Sequence, residues 1–166
     1  MISNVENSMK KILGPVSEWL SSIGSYVLMI MVVITVADVV GRKLFNMPVK
    51  GAYELGEMLL VIVVFLNLPD TEMQDENVSI ELLYNRFGRK VRKIVLSLMY
   101  VLFLIVAILM TWQLIVFGLG EMAGGFTTTI LSIPYAPVVF LASLGCALLS
   151  LVVLARLFLM IFGGEK

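Results

Sequence analysis

The side chains that could do chemistry in this chain are few, and they sit at the borders of long apolar runs. Asp38 and Arg42 are four residues apart, acid before base, which places them on one helical face as an ion pair. A paired acid and base are cheaper near lipid than either alone. The pair therefore either closes a membrane span or turns Arg42 toward a protein partner. Glu54 and Glu57 follow, three residues apart, at the start of the next apolar run. Carboxylates there gain from the helix dipole. They can serve the helix alone, contact a partner chain, meet Arg42 or Lys43 across the bend, or bind Na⁺ or a proton. An ion site would need supporting carbonyls or a broken helix, and the sequence signals neither. The run Gly124-Gly125-Phe126-Thr127-Thr128-Thr129 has the composition of a pore filter. A filter, however, requires several subunits around an axis, so an ordered loop that docks a partner is the simpler reading.

What is missing narrows the chemistry. The 166 residues include no histidine and one cysteine, Cys146. That argues against bis-His haem ligation, imidazole metal sites, His-based acid–base catalysis and an intrachain disulfide. Cys146 lies in an apolar run and reads as small packing filler. No nucleophile–base pair or metal-ligand cluster is visible, so the chain is not expected to be an enzyme. Twelve basic and twelve acidic residues balance, and nothing in the bulk charge implies nucleic acid as a partner.

The elements that must position these residues follow from where charge is absent. No charged residue falls in Trp19–Ala37, Met58–Pro69, Ile94–Gly120 or Met122–Ala155. A bilayer core is about 30 Å thick and takes about 20 helical residues to cross. The sequence therefore predicts an all-α membrane protein, a single membrane domain over 1–166. Its four transmembrane helices are expected near 19–40, 51–68, 94–118 and 134–162. Amphipathic interfacial helices are expected near 4–18 and 78–93. In the first, Val5, Met9, Ile12, Leu13 and Val16 recur at helical spacing, with a kink expected at Pro15. In the second, Ile80, Leu83, Tyr84, Phe87 and Val91 form an apolar face opposite Arg86, Arg89, Lys90 and Lys93. Asn46-Met47-Pro48 reads as a turn, and residues 118–133 as a loop, with Ser132 capping the last helix and Pro134 in its first turn. The pairs Ala52/Gly56 and Ser143/Ala147 are expected to mark close helix contacts.

Charge distribution also predicts orientation. With both termini in the cytoplasm, that side receives nine basic residues and the other side Arg42, Lys43 and Lys50. Basic residues favour the cytoplasmic side, so N-in, C-in is expected. Lys10 and Lys11 precede an apolar stretch too long for a secretory signal, and no small-residue cleavage site follows, so the first span is expected to remain. The span centres carry almost nothing polar: Asn67 sits near an end, and Thr35, Ser97, Thr111 and Gln113 are scattered. A carrier of polar solutes needs binding groups near the midplane.

The stretch Val40-Gly41-Arg42-Lys43-Leu44-Phe45-Asn46-Met47-Pro48, followed by Gly51, Glu54 and Glu57, resembles the small membrane subunit of tripartite ATP-independent periplasmic (TRAP) transporters. Asn77-Val78-Ser79-Ile80-Glu81-Leu82-Leu83 and Thr129-Ile130-Leu131-Ser132-Ile133-Pro134 match the same family in order. Here Arg42 stands three residues before Phe45 rather than two, and Asn77 stands where the family often has His. The resemblance covers roughly residues 25–160. It implies a small permease subunit in the bacterial inner membrane, scaffolding a large multi-span subunit that holds the substrate and Na⁺ sites. No cofactor is implied in this chain. A periplasmic binding protein would deliver an organic acid, and the membrane lipids would complete the surroundings. On this reading Asp38, Arg42, Lys43, Phe45, Lys50, Glu54, Glu57, Thr129 and Pro134 are candidates for partner contact. A stand-alone homo-oligomeric transporter or channel is the alternative; a redox anchor lacks its usual ligands.

Overall fold

The computed structural model describes residues 2–74 and 89–162, with side chains described over 13–74 and 94–160. Among the described residues there are four helices: α1 (Ile2–Leu44), α2 (Ala52–Met73), α3 (Arg89–Gly124) and α4 (Ala136–Phe162). Each contains a stretch long and apolar enough to cross a membrane, at Leu13–Leu44, Ala52–Met73, Ile94–Gly124 and Ala136–Met160. The all-helical membrane architecture expected from the uncharged windows is the one observed.

The helices pack in the order α1, α2, α4, α3, each against the next, with a smaller α1–α4 contact. α2 and α4 are the inner pair and hold more buried residues than α1 and α3. Both inner helices run the same way, from the end carrying the 45–51 and 125–135 connections (the loop end) toward the opposite end.

The α2–α4 crossing has a backbone cause. Pro69 lies inside α2 and is fully buried. It has no N–H, so the carbonyl of Phe65, one turn earlier, loses its helical donor. In lipid such a carbonyl must find a partner within the protein. Gly145 of α4 faces it, and a Cβ there would collide with the Phe65 carbonyl. The α-hydrogen that a Cβ would replace instead points at that oxygen, a weak C–H···O contact between two closely approaching helices. Ser143 is buried nearby, but Gly56 makes no such contact, since a Cβ at Gly56 would meet nothing within 4 Å. Gly56 therefore marks no close helix contact among the described residues.

The other seams are built similarly. On the α3–α4 seam, Ala107, Leu149 and Val153 form a buried cluster flanked by Phe103 and Leu104. The Cys146 thiol points to the Ala107 carbonyl at 3.5 Å, as fits its role of small filler. On the α1–α2 seam, Gly24 makes room for Asn67, which accepts from the Ser21 hydroxyl at 2.9 Å.

Several boundaries differ from expectation. The interfacial segment at 4–18 and the span at 19–40 are one helix running through Pro15. Gly14 lies level with Met73, so α1 extends about three turns beyond the end of α2. Of the amphipathic segment expected at 78–93, residues 89–93 are the start of α3, and 78–88 lie outside the described residues. α3 also continues through Gly118 and Gly120 to Gly124, where a loop was expected. Glycine favours turns in water, but an apolar medium offers the backbone no partner outside the helix. Ser132 does not cap α4: it adopts a left-handed φ of 54°, and the helix opens after Tyr135 with Pro137 in its first turn.

Gly145→Val should destabilise the subunit by more than about 3 kcal/mol, because overpacking here meets backbone rather than a yielding side chain. Gly56→Ala should leave stability unchanged or raise it by up to about 1 kcal/mol. Thermal unfolding of the two variants in detergent checks the contrast.

Candidate functional site

The sequence-selected residues gather at the loop end, where α1 turns into α2 and the α3–α4 connection folds over both. α1 ends by wrapping its backbone around Gly41. The Gly41 carbonyl accepts from Phe45 N at 3.1 Å and Met47 N at 3.0 Å, while Asn46 adopts a left-handed φ of 54°. A Cβ at Gly41 would lie 2.7 Å from the Met47 carbonyl oxygen, so only glycine admits this turn.

Asp38 fixes the same turn from the side. Its Oδ2 accepts from Arg42 Nη2 at 2.6 Å, the predicted one-turn ion pair, and its Oδ1 accepts from Val49 N at 2.9 Å. One carboxylate therefore ties the last turn of α1 to the chain that leads into α2. The Asp38 side chain is 13% exposed and that of Arg42 is 67% exposed, so the guanidinium keeps an open face. Lys43, Phe45, Met47 and Lys50 are exposed around it.

Glu54 does the corresponding work on the other connection. It is buried in the first turn of α2. Its Oε1 accepts from Ile130 N at 2.7 Å and its Oε2 from Leu131 N at 3.0 Å. Backbone N–H groups bonded to a carboxylate are charge-assisted and strong. Leu131 then covers Gly51, filling the space a Cβ would need, and Gly51 opens α2 in a left-handed conformation (φ 77°). The connection is itself closed by the buried Thr128. Its N–H donates to the Ile133 carbonyl at 2.9 Å, its hydroxyl accepts from Ile133 N at 3.1 Å, and its carbonyl accepts from Ser132 N at 3.1 Å. Thr127 and Pro134 form an isolated bridge beneath it. The threonine run is thus engaged in shaping a turn. Thr129 and Pro134 are exposed on it.

Glu57, one turn further along α2, lies outside this contact and is exposed. Among the described residues, no ion pair joins Glu54 or Glu57 to Arg42 or Lys43. The two carboxylates, grouped by sequence, have separate surroundings.

A second polar centre, at the opposite end, was not picked out from the sequence. Arg156 of α4 lies 3.7 Å from Glu72 of α2, and its Nη2 donates to the Met73 carbonyl at 3.1 Å. Its Nη1 reaches the Tyr100 hydroxyl of α3 at 3.5 Å. A cation is thereby held at the C-terminus of α2, where the helix dipole favours it, and three helices are joined. The signal lay in depth: Glu72 and Arg156 sit equally far from the starts of two parallel helices.

The chemistry these groups offer is internal bonding and an exposed cationic, partly aromatic rim. The sequence profile of the family described as "Tripartite ATP-independent periplasmic transporters, DctQ component" matches residues 31–163, which take in both connections and α2 to α4.

The chain belongs to this family.

No curated protein matches it significantly. As a DctQ component it is the small permease subunit of a TRAP transporter, a multi-pass membrane protein and a transport component rather than an enzyme. The resemblance read in the 40–57 and 129–134 motifs is therefore correct, and the structure gives those motifs a physical role. Within them, Glu54 and Gly51 hold the DctQ component's two connections to one another, and Gly41 shapes the turn between α1 and α2.

Removing the Glu54 carboxylate should loosen this end without unfolding the helices. In Glu54→Ala, amide exchange at Ile130 and Leu131 should quicken about tenfold or more, with Glu54→Gln intermediate. Hydrogen exchange read by mass spectrometry checks this; unchanged protection at 130–131 would contradict the assignment.

Proposed function

We propose that this DctQ component is a static scaffold for a large membrane subunit that itself performs Na⁺-coupled uptake of an organic acid delivered by a periplasmic binding protein. The observation that carries this reading is the fate of polar groups in the spans. Thr35 donates to the Met31 carbonyl, Asn67 to Val63, Thr111 to Ala107, Ser143 to Phe140 and Ser150 to Cys146. Each of these donors is spent on a carbonyl of its own helix, so it is not offered to a polar cargo. Large apolar side chains such as Met29, Val33, Leu102, Leu109 and Leu154 are exposed along the helices instead, a surface suited to lipid and to another membrane protein.

Orientation and docking complete the proposal. N-in, C-in topology in the inner membrane puts the loop end on the periplasmic side, with the 125–135 connection and the exposed Arg42, Lys43 and Lys50. Cations beside exposed Phe45 and Met47 suit an acidic, partly apolar patch on a soluble binding protein. The Na⁺ and substrate sites belong to the large subunit on this reading, and this chain holds no cofactor.

Affinity purification of the tagged chain from membranes co-expressing the large subunit should recover both. The double variant Arg42→Glu/Lys43→Glu should leave that recovery intact and lower binding-protein-dependent uptake about tenfold, since rim charges act on encounter. Normal uptake by the double variant would remove the docking assignment; failure to recover the large subunit with the unaltered chain would remove the scaffold reading.

A further inference from the structure

α2 carries one face that the fold leaves uncovered. Tyr53, Glu57, Leu60 and Val64 follow one another at i, i+4, i+7 and i+11, and all four are exposed, Tyr53 at 78%, Leu60 at 50% and Val64 at 46%. Gly56 lies beside them, with open space where a Cβ would stand. The face is therefore bulky along its length and notched at one point near the loop end. A notch of this kind lets a second helix come close.

Glu57 sits at the notch, within a helix apolar enough to span the membrane. Tyr53 stands one helical turn before it on the same exposed face. Among the described residues the ion pairs are Asp38–Arg42 and Glu72–Arg156, and neither includes Glu57. Its neighbour Glu54 is bonded to the 130–131 backbone and makes no use of this face. A carboxylate in or near hydrocarbon is costly until it meets a cation. An acyl chain supplies none. Shape and charge thus specify one occupant, a close-packed helix offering a basic side chain at that depth.

We propose that the Tyr53–Val64 face of α2 seats a membrane-spanning helix of the large permease subunit, with a Lys or Arg of that helix paired to Glu57. The proposal rests on the scaffold reading above and adds the surface and the charge by which the partner is recognised.

The test uses the whole transporter, with the chain tagged and the large subunit co-expressed. Glu57→Gln and Gly56→Leu should each lower recovery of the large subunit about tenfold, the first by removing the charge and the second by filling the notch. Glu57→Asp should retain most of it, and all three variants should accumulate in membranes as the unaltered chain does. A photocrosslinking residue at Leu60 should become attached to the large subunit. Unchanged recovery with both Glu57→Gln and Gly56→Leu, or lipid adducts alone from position 60, overturns the proposal while the unaltered chain still recovers its partner. Loss of recovery with the unaltered chain overturns the scaffold reading as well.

Discussion

At the loop end of the bundle two backbone N–H groups, of Ile130 and Leu131, must find acceptors beside an apolar medium, and one carboxylate supplies both. Glu54 can do so because it stands in the first turn of α2, where the helix dipole also favours negative charge. The consequences spread outward. With 130–131 fixed, Leu131 is held over Gly51 and the start of α2 is set. With α2 set, the 45–51 turn is held between Gly51 and the Asp38 carboxylate, and α1 is aligned. The exposed Arg42, Lys43 and Phe45 are therefore displayed from a braced surface rather than from free loops.

The opposite end is secured by different means. Pro69 withdraws a donor from the Phe65 carbonyl, and Gly145 brings α4 onto it. Farther along, Arg156 draws Glu72, the Met73 carbonyl and Tyr100 together. A buried ion pair is weak evidence of net stability, since desolvation offsets much of its attraction. Its value here is specificity of register, because an arginine of α4 bonded to both α2 and α3 admits one depth of α4 against α2. With both ends fixed, the inner pair of helices is held in one register.

The spans were legible because charge exclusion from hydrocarbon is a local, one-dimensional signal: Ile94–Gly120 or Trp19–Ala37 declares itself without reference to any other segment. The Asp38–Arg42 pair was legible for the same reason, being one helical turn long. What the sequence hid was non-local. Nothing near Glu54 in the chain reveals that its partners are Ile130 and Leu131, and nothing near Gly145 reveals Phe65. Boundaries failed where residue preferences learned from water were applied to lipid. Gly118 and Gly120 look like turn formers, yet helix is the conformation that satisfies their backbone. Ser132 has the composition of a cap, but the hydrogen bonds around Thr128 had already fixed it in a left-handed turn.

The central claim is that the hydrogen-bonded polar side chains of the spans are committed to bonds within the subunit, leaving cargo to another chain. Solute flux into vesicles tests that claim most directly. Proteoliposomes containing this chain alone, under an inward Na⁺ gradient, should take up no organic anion above protein-free vesicles, whereas those containing both membrane subunits and the binding protein should accumulate it. Gradient-dependent uptake by vesicles holding only this chain would contradict the account.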